Sequence, residues 1–574
     1  MPINFCPAAT EARGSHGSTA RTSIGALKIP AMAPALPAGK PCVLSYIKVL
    51  LFTLIIAAGS EEPGLLAGEP VLSVRDFGAT GSRADDATPA FRGALEACRH
   101  AGGGTVYVPA GEYRCLPMTL SDNVTLDIAA GAVLFVDLQN PAFGAKGFIG
   151  AERARNITIK GKGVIDGQAK YVWADYRNDD VEIAKEVELA RHAGLEMKRS
   201  YRLGNTAFMF LFKECENLRI EGITALNSSS WCMKIWGSRG VTIDGVTIRS
   251  DLKMGVNSDG IDIDGTSDVH IRGCNISTGD DAICLKTGAW EHRSVGHVYQ
   301  PVGEVYPTEN VIVDDCILTS SSTALMIGTE TCSNVRHVVF NKCLIRDSNK
   351  GLGINVQDGG TVSDILYSNV TMGLSRRHWS WWGDAEMFHF VLKKRLPDSK
   401  IGMIKNVTLI HVIAHAQGTS RIETLTGQPI ENISMEDVHL VMDPEQTPDK
   451  RSTHAISVAG VNHLRLRRVD IRWTDAKPEP AWQSALALKD ASEFELDNIS
   501  VRQGLPGSTI PAIILENARD GVIRNCLTQA DTGLFLKVQG PRTTHLLLSN
   551  NFADNASSFI ELDKAVNREA IQIR

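Results

Sequence analysis

Residues 240–250 read GVTIDGVTIRS and residues 268–278 read DVHIRGCNIST. In both, branched aliphatics alternate with polar residues on either side of a central glycine, so each copy is two short strands of period two joined at a bend. The pattern recurs as NITIKGKGVIDG from Asn156, NLRIEGITALN from Asn217, NVIVDDCILTS from Asn310 and VRHVVFNKCLIRDS from Val335, with later copies from Val362, Ile404, Ile430, Val461 and Thr543. Starting points recur at about 23 to 30 residues, the period of a stacked solenoid rather than of separate sheets. One coil cannot bury its inward Val, Ile and Leu alone, so successive coils stack them into a continuous core and pair their backbones as parallel sheets. The expected fold is all-β, a parallel β-helix.

Other features fit a long stack. Cys274, Cys316 and Cys343 occupy one slot in their copies (GCNI, DCIL, KCLI), which reads as an internal ladder of small apolar side chains rather than as reactive thiols. Ahead of the coils, Phe91, Ala94, Leu95 and Cys98 are spaced for an amphipathic helix that ends at Gly102–Gly104, and such a helix would cap the open end of the stack. Three segments interrupt the repeat, near 172–204, 288–307 and 376–397. Loops inserted in a rigid solenoid tend to build its binding site.

Composition narrows the function. Of 574 residues, 59 are Lys or Arg and 65 Asp or Glu, a net charge of -6 that lacks the basic footprint of a nucleic-acid binder. Lys40 and Lys48 precede an apolar run from Val49 to Ala58, with small residues Ala57, Ala58 and Gly59 at its end. Residues 1–59 therefore read as a leader region with a signal peptide at about 32–59, too short to span a bilayer, and the expectation is export to the periplasm or medium without stable membrane insertion. Residues 60–574 are then one β-helix domain. No Cys-x-x-Cys pair supports a zinc or redox site; Cys98 with Cys115 is a plausible disulfide in an exported chain.

Two successive coils carry clustered acids, VNSDGIDIDG from Val256 and STGDDAICLK from Ser277. Asp259 and Asp280 are 21 residues apart, close to one coil, so neighbouring rungs bring them together. Strand alternation opposes this: Asp280 and Asp281 should face opposite sides, and Asp259 shares parity with the inward Ile261 and Ile263. Both clusters need a break in the strand, for which Gly260 is available at the first. Acids crowded on one face repel and raise at least one pKa, which a solenoid gains nothing from, whereas glycoside hydrolysis requires one protonated and one ionised carboxyl. A divalent-cation site and turn-closing Asp side chains remain the alternatives.

These motifs carry a resemblance. NSDGID (257–262) and GDDAICLK (279–286), with DFGATGSRADDATPAFRGAL, GGGTVYVPAGEY and NVTLDIAAGAVL upstream, resemble glycoside hydrolase family 28, the polygalacturonases, which are right-handed β-helix enzymes of pectin breakdown. The resemblance runs from about Val71 to the last coils. It implies Asp280 as general acid, Asp259 and Asp281 holding the attacking water, a substrate contact at Asn257, no cofactor, and inversion with carboxyls about 6.5–9.5 Å apart. Two family motifs are missing. Thr323 stands at the apparent histidine position, and Gly353 and Asn355 stand where two basic residues grip a galacturonate carboxylate, so a different subsite is implied.

WSWWGDAEMF (379–388) resembles a segment of a bacterial branch of the family. There Trp381 and Trp382 are candidates for a sugar-stacking platform or for buried loop anchors, and Glu386 for an acceptor of hydroxyl hydrogen bonds. Lys286, Glu330 and Asp358 follow the acidic rungs as further substrate contacts or solvated charges. His292 and His297 lie on the second insertion as candidates to replace the missing histidine, although a lone loop histidine is more often without a role. The expected partner is a pectic polysaccharide or oligosaccharide cleaved by hydrolysis, with exo action suggested by the insertions. A polysaccharide lyase and a non-catalytic carbohydrate-binding β-helix are the competing classes.

Overall fold

The computed structural model describes residues 70–574 except 144–146, 178–183, 197–198, 296–297, 378–381 and 475–476. Each coil has three faces. In one, Arg239–Asp244 and Thr247–Arg249 form the first two and Ile261–Asp264 the third; in the next, Ser267–Arg272, Asn275–Thr278 and Ile283–Thr287 repeat the order. Every pairing between coils is parallel, the first two faces forming a 26-stranded sheet and the third a 15-stranded sheet. This is the right-handed parallel β-helix that the repeat and the resemblance imply.

The corners explain the repeat's central residue. Gly222, Gly245 and Gly273, then Asp315, Lys342 and Asn369, turn the chain between first and second faces with φ between 50° and 71°. That left-handed region costs a residue bearing a Cβ roughly 1–2 kcal/mol, least for Asn and Asp, which is why five of these six slots hold Gly, Asp or Asn, Lys342 being the exception. A second left-handed position opens the first face at Asn123, Asn156 and Asn217. There the side chains form a ladder, Asn217 Nδ2 donating to Asn156 Oδ1 at 3.0 Å and Asn156 Nδ2 to Asn123 Oδ1 at 2.8 Å.

Between the corners the alternation puts one residue type in one column. Leu218, Val241, Val269, Val311, Val338, Ile365, Val407 and Ile433 are paired in register across eight coils, and all are buried. Each contributes roughly 1.5–3 kcal/mol by burial. Cys274, Cys316 and Cys343 are buried as an internal ladder, as expected. The helix Thr88–His100 caps the first coils with Phe91, Ala94, Leu95 and Cys98 buried, Phe91 meeting Tyr113 edge-on at 5.8 Å.

Two expectations are corrected. Cys98 and Cys115 are both buried free thiols, as are most of the ten described cysteines; each fills apolar space in its own element instead of pairing. The interruption at 376–397 is not all loop: Glu386–Leu392 is a third-face strand paired with Lys350–Val356, its Phe388, Phe390 and Leu392 pointing into the core. Trp173–Arg177 pairs antiparallel with Arg199–Arg202 around a helix at Ala184–His192, and Glu291–Val295 with Val298–Val302 forms a hairpin. The leader falls outside the described residues, and among the described residues no helix is long and apolar enough to cross a membrane.

Candidate active site

The parity problem resolves because the acids lie outside the strands. The third-face strands start at Ile261 and Ile283, so Asp259, Asp280 and Asp281 all fall in the bends entering that face, free of alternation. Gly260 N donates to Asp281 O at 2.9 Å, and this bond locks the two bends in register. Glycine is required at 260, since a Cβ there would meet Ala282 O at 2.3 Å. Oxygens of the three carboxyls converge within 4.8 Å of one another. They line a cleft of about 220 Å³ together with Asn257, Lys286, Thr323, Glu330, Asn355 and Trp382, also bordered by Trp231 and Lys350. The nearest carboxyl oxygens thus lie closer than the 6.5–9.5 Å that the resemblance implies for inversion, because Asp259 and Asp281 enter neighbouring rungs and Asp280 and Asp281 are adjacent in the chain.

Each acid is held differently. Asp281 Oδ1 accepts from Ser322 Oγ at 2.7 Å and Thr323 N at 2.9 Å. Asp280 accepts from Asp281 N at 2.9 Å and from Asn257 Nδ2 at 3.3 Å, while Asp259 Oδ1 is buried with no hydrogen-bond partner. Burial and the Asp281 charge push Asp280 up to about 7, opposed by Lys286 and by donated backbone hydrogen bonds. Burial and Asp280 also raise Asp259 well above the usual carboxylate range. The arrangement therefore retains a proton among crowded carboxyls at neutral pH, beside others able to accept one. Among the described residues these three acids are also the group able to hold a cation, although Lys286 and the retained proton compete with that use.

Around them lies a chain of alternating charge. Lys286 Nζ donates to Glu330 at 3.0 Å and to Gly328 O at 3.3 Å, stands 3.7 Å from the fully buried Asp262, and lies 4.7 Å from the Trp231 ring. Against the effect of burial, Lys286 and Arg395 hold Glu330 down at about 2. Asp358 takes a bidentate contact from Arg395, at 2.7 and 2.9 Å, and accepts from Thr331 N. Its carboxylate is thus engaged within the protein.

The remaining sequence candidates separate. Trp382 lines the cleft; Trp381 and His297 lie outside the described residues. Glu386 is buried, accepting from Asp384 N at 2.5 Å and standing 3.7 Å from Lys350. His292 is on the hairpin, its ring 5.3 Å from that of Tyr299. At Gly353 a Cβ would meet Met326 Sδ at 2.5 Å, so Met326 fills the space of the absent basic side chain. Trp231, Ser322, Met326, Lys350 and Arg395 were not singled out by sequence. For two of them a signal exists: Trp231, Asp259, Asp281, Thr323, Lys350 and Glu386 each stand two residues before the first paired inward residue of a third-face strand.

Comparison with known proteins agrees with this geometry. The profile of glycosyl hydrolases family 28 matches residues 98–459. A probable polygalacturonase from Vitis vinifera is 27% identical over 54% of this chain and 62% of its own length, and an exopolygalacturonase from Arabidopsis thaliana is 26% identical over 66% and 78%. The chain thus spans less than two thirds of the grape protein. The family 28 exopolygalacturonase of Yersinia enterocolitica shares the fold, with a TM-score of 0.54 and 18% identity over 75% of this chain and 78% of that one. With its matched region covering more than half of the sequence, the chain belongs to glycosyl hydrolases family 28.

Proposed function

We propose that this protein hydrolyses a glycosidic bond in pectin or a related galacturonate-containing glycan. The observation that carries the reading is the convergence of Asp259, Asp280 and Asp281 within 4.8 Å at an open cleft, with Asp280 protonated up to about pH 7. Asp280 donates its proton to the leaving oxygen as the sugar–oxygen bond breaks. Asp259 and Asp281 hold a water on the opposite side of the sugar; the water's oxygen forms the new bond to the anomeric carbon and its proton passes to Asp281. Ser322 and Thr323 N fix that carboxylate. Asn257 holds Asp280 in place through its amide. Trp231 and Trp382 offer aromatic walls to a sugar ring.

The matched relatives' names, polygalacturonase and exopolygalacturonase, support the substrate class. Exo action is supported by the name of one matched relative, an exopolygalacturonase. Export follows from the apolar run at Val49–Ala58.

Incubation with polygalacturonan, rhamnogalacturonan and their short oligomers tests the proposal. The expected products are saturated, short, released from a chain end, formed equally with chelator present, and inverted at the anomeric carbon by NMR, the last following from the family resemblance and not from the carboxyl spacing. Unsaturated products that vanish with chelator would make the protein a lyase, and a retained anomer would make one of the carboxylates a nucleophile.

A further inference from the structure

The cleft of the three aspartates lies over the third face, and register follows that face back toward the capped end. Met326, which lines the cleft, pairs with Cys284, and the column facing away from the core continues through Asp262, Lys234, Leu211, Gly150 and Thr119. Near the acids this column is charged, at Asp262 and Lys234. Two rungs beyond Asp262, about 10 Å by backbone spacing, it becomes uncharged at Leu211 and stays so at Gly150 and Thr119. There it borders a second pocket, of about 230 Å³, which Pro117, Met118 and Trp290 also line.

Trp290 is held in place as a wall of this pocket. It belongs to the second insertion, whose entry is fixed by three bonds: Gly288 N donates to Asp264 Oδ1 at 2.6 Å, Trp236 Nε1 to Gly288 O at 2.9 Å and Ala289 N to Tyr299 Oη at 2.7 Å. Trp236 is buried and already anchors the insertion, its ring 5.6 Å from that of Trp290, so the half-exposed Trp290 is not needed as a second anchor. The charges beside it are paired. Lys213 Nζ, 5.2 Å from the Trp290 ring, donates to Glu152 at 2.8 Å, and Lys234, 5.6 Å from that ring, stands 3.5 Å from Asp264. Lys234 also lies 5.1 Å from the ring of Trp231, which borders the cleft of the aspartates, so the two tryptophans flank one lysine and the pocket continues that cleft.

A free uronate carried into this pocket gives up hydration of its carboxylate and meets cations that are already paired. A methyl-esterified uronate instead brings an apolar methyl group to Leu211 and Met118 and a ring to the indole of Trp290. We propose that this pocket is a distal subsite for a methyl-esterified galacturonate residue of the same glycan chain that is cut at the aspartates, with Trp290 as its aromatic wall. The subsite rests on the hydrolase reading above for its substrate class, and it directs the enzyme to long, partly esterified chains.

The test is calorimetric binding of hexagalacturonate, its fully methyl-esterified form and the esterified dimer to full-length Asp280→Asn protein, with and without Trp290→Ala. Asp280→Asn alone should bind the esterified hexamer at least about 10-fold more tightly than the esterified dimer, since only the hexamer reaches both the aspartates and Trp290. Adding Trp290→Ala should weaken the esterified hexamer about 5- to 20-fold, removing most of that advantage, and the free-acid hexamer by no more than about twofold. Trp290→Phe should keep most of the affinity. Equal losses on both hexamers, a length advantage that survives Trp290→Ala, or no binding of the esterified hexamer would overturn the assignment. Circular dichroism of each variant separates misfolding from lost contact, and Leu211→Ser reads the same pocket should Trp290→Ala fail to fold. Because binding is read without turnover, a Trp290-dependent preference for the esterified hexamer in a protein whose unmodified form hydrolyses no pectic oligomer would sink the hydrolase reading and leave the subsite standing.

Discussion

Asp280 and Asp281 are neighbours in the chain with opposite surroundings. Asp281 is fixed by a hydroxyl and a backbone N–H, whereas Asp280 accepts from the Asp281 N–H and, at longer range, from Asn257, and has a value pushed to about 7 by burial and by Asp281. Since the ordinary value is 3.8, the folded protein keeps this proton over a range in which the unfolded chain has released it. The stability it contributes is full below about pH 4 and is lost as pH rises through about 7. Asp280→Asn removes the titration, so denaturation at pH 4.5 and pH 8 should show a flatter profile than the parent's. At pH 8 the variant should be the more stable, by on the order of 1–3 kcal/mol; a variant that loses stability with pH as steeply as the parent would contradict the cause assigned here. The three aspartates were legible as motifs, and their crowding as chemistry. Lys350 was not, because one lysine before an aliphatic strand reads as a surface charge until register puts it in a column with Asp281.

At the scale of the element, corners and alternation account for the coil. The left-handed positions are occupied by residues that tolerate them, and at Asn217 the side chain also joins a ladder. Asn217→Ala should lower the apparent thermal midpoint more than Asn217→Gly, the former costing roughly 1–2 kcal/mol in strain and a further 0.5–1.5 kcal/mol in lost hydrogen bonding. Equal effects would remove backbone conformation from the explanation. The repeat and its period, the capping helix and the cysteine ladder were all readable from sequence, since each follows from local spacing. The strand Glu386–Leu392 was hidden by the aromatic, histidine-bearing segment before it, which resembles an insertion up to the bend at Asp384. The Cys98–Cys115 pairing failed for another reason: spacing shows which thiols are small and buried, not which face each other.

The β-helix is quasi-one-dimensional, so a rung's contacts are mostly with its neighbours and a side chain's place in the groove is set by its register. That organisation lets acids from two neighbouring coils converge at one cleft. Insertions are the exception to nearest-neighbour order, as Glu186 reaching Arg451 shows, and such long-range ties have no sequence signature. The central claim is that Asp280 supplies the proton in glycosidic hydrolysis. Turnover of a pectic oligosaccharide that the unmodified protein cleaves should fall about 10²- to 10⁴-fold or more in Asp280→Asn, with the fold unchanged by circular dichroism. Undiminished turnover in a folded Asp280→Asn protein would contradict it.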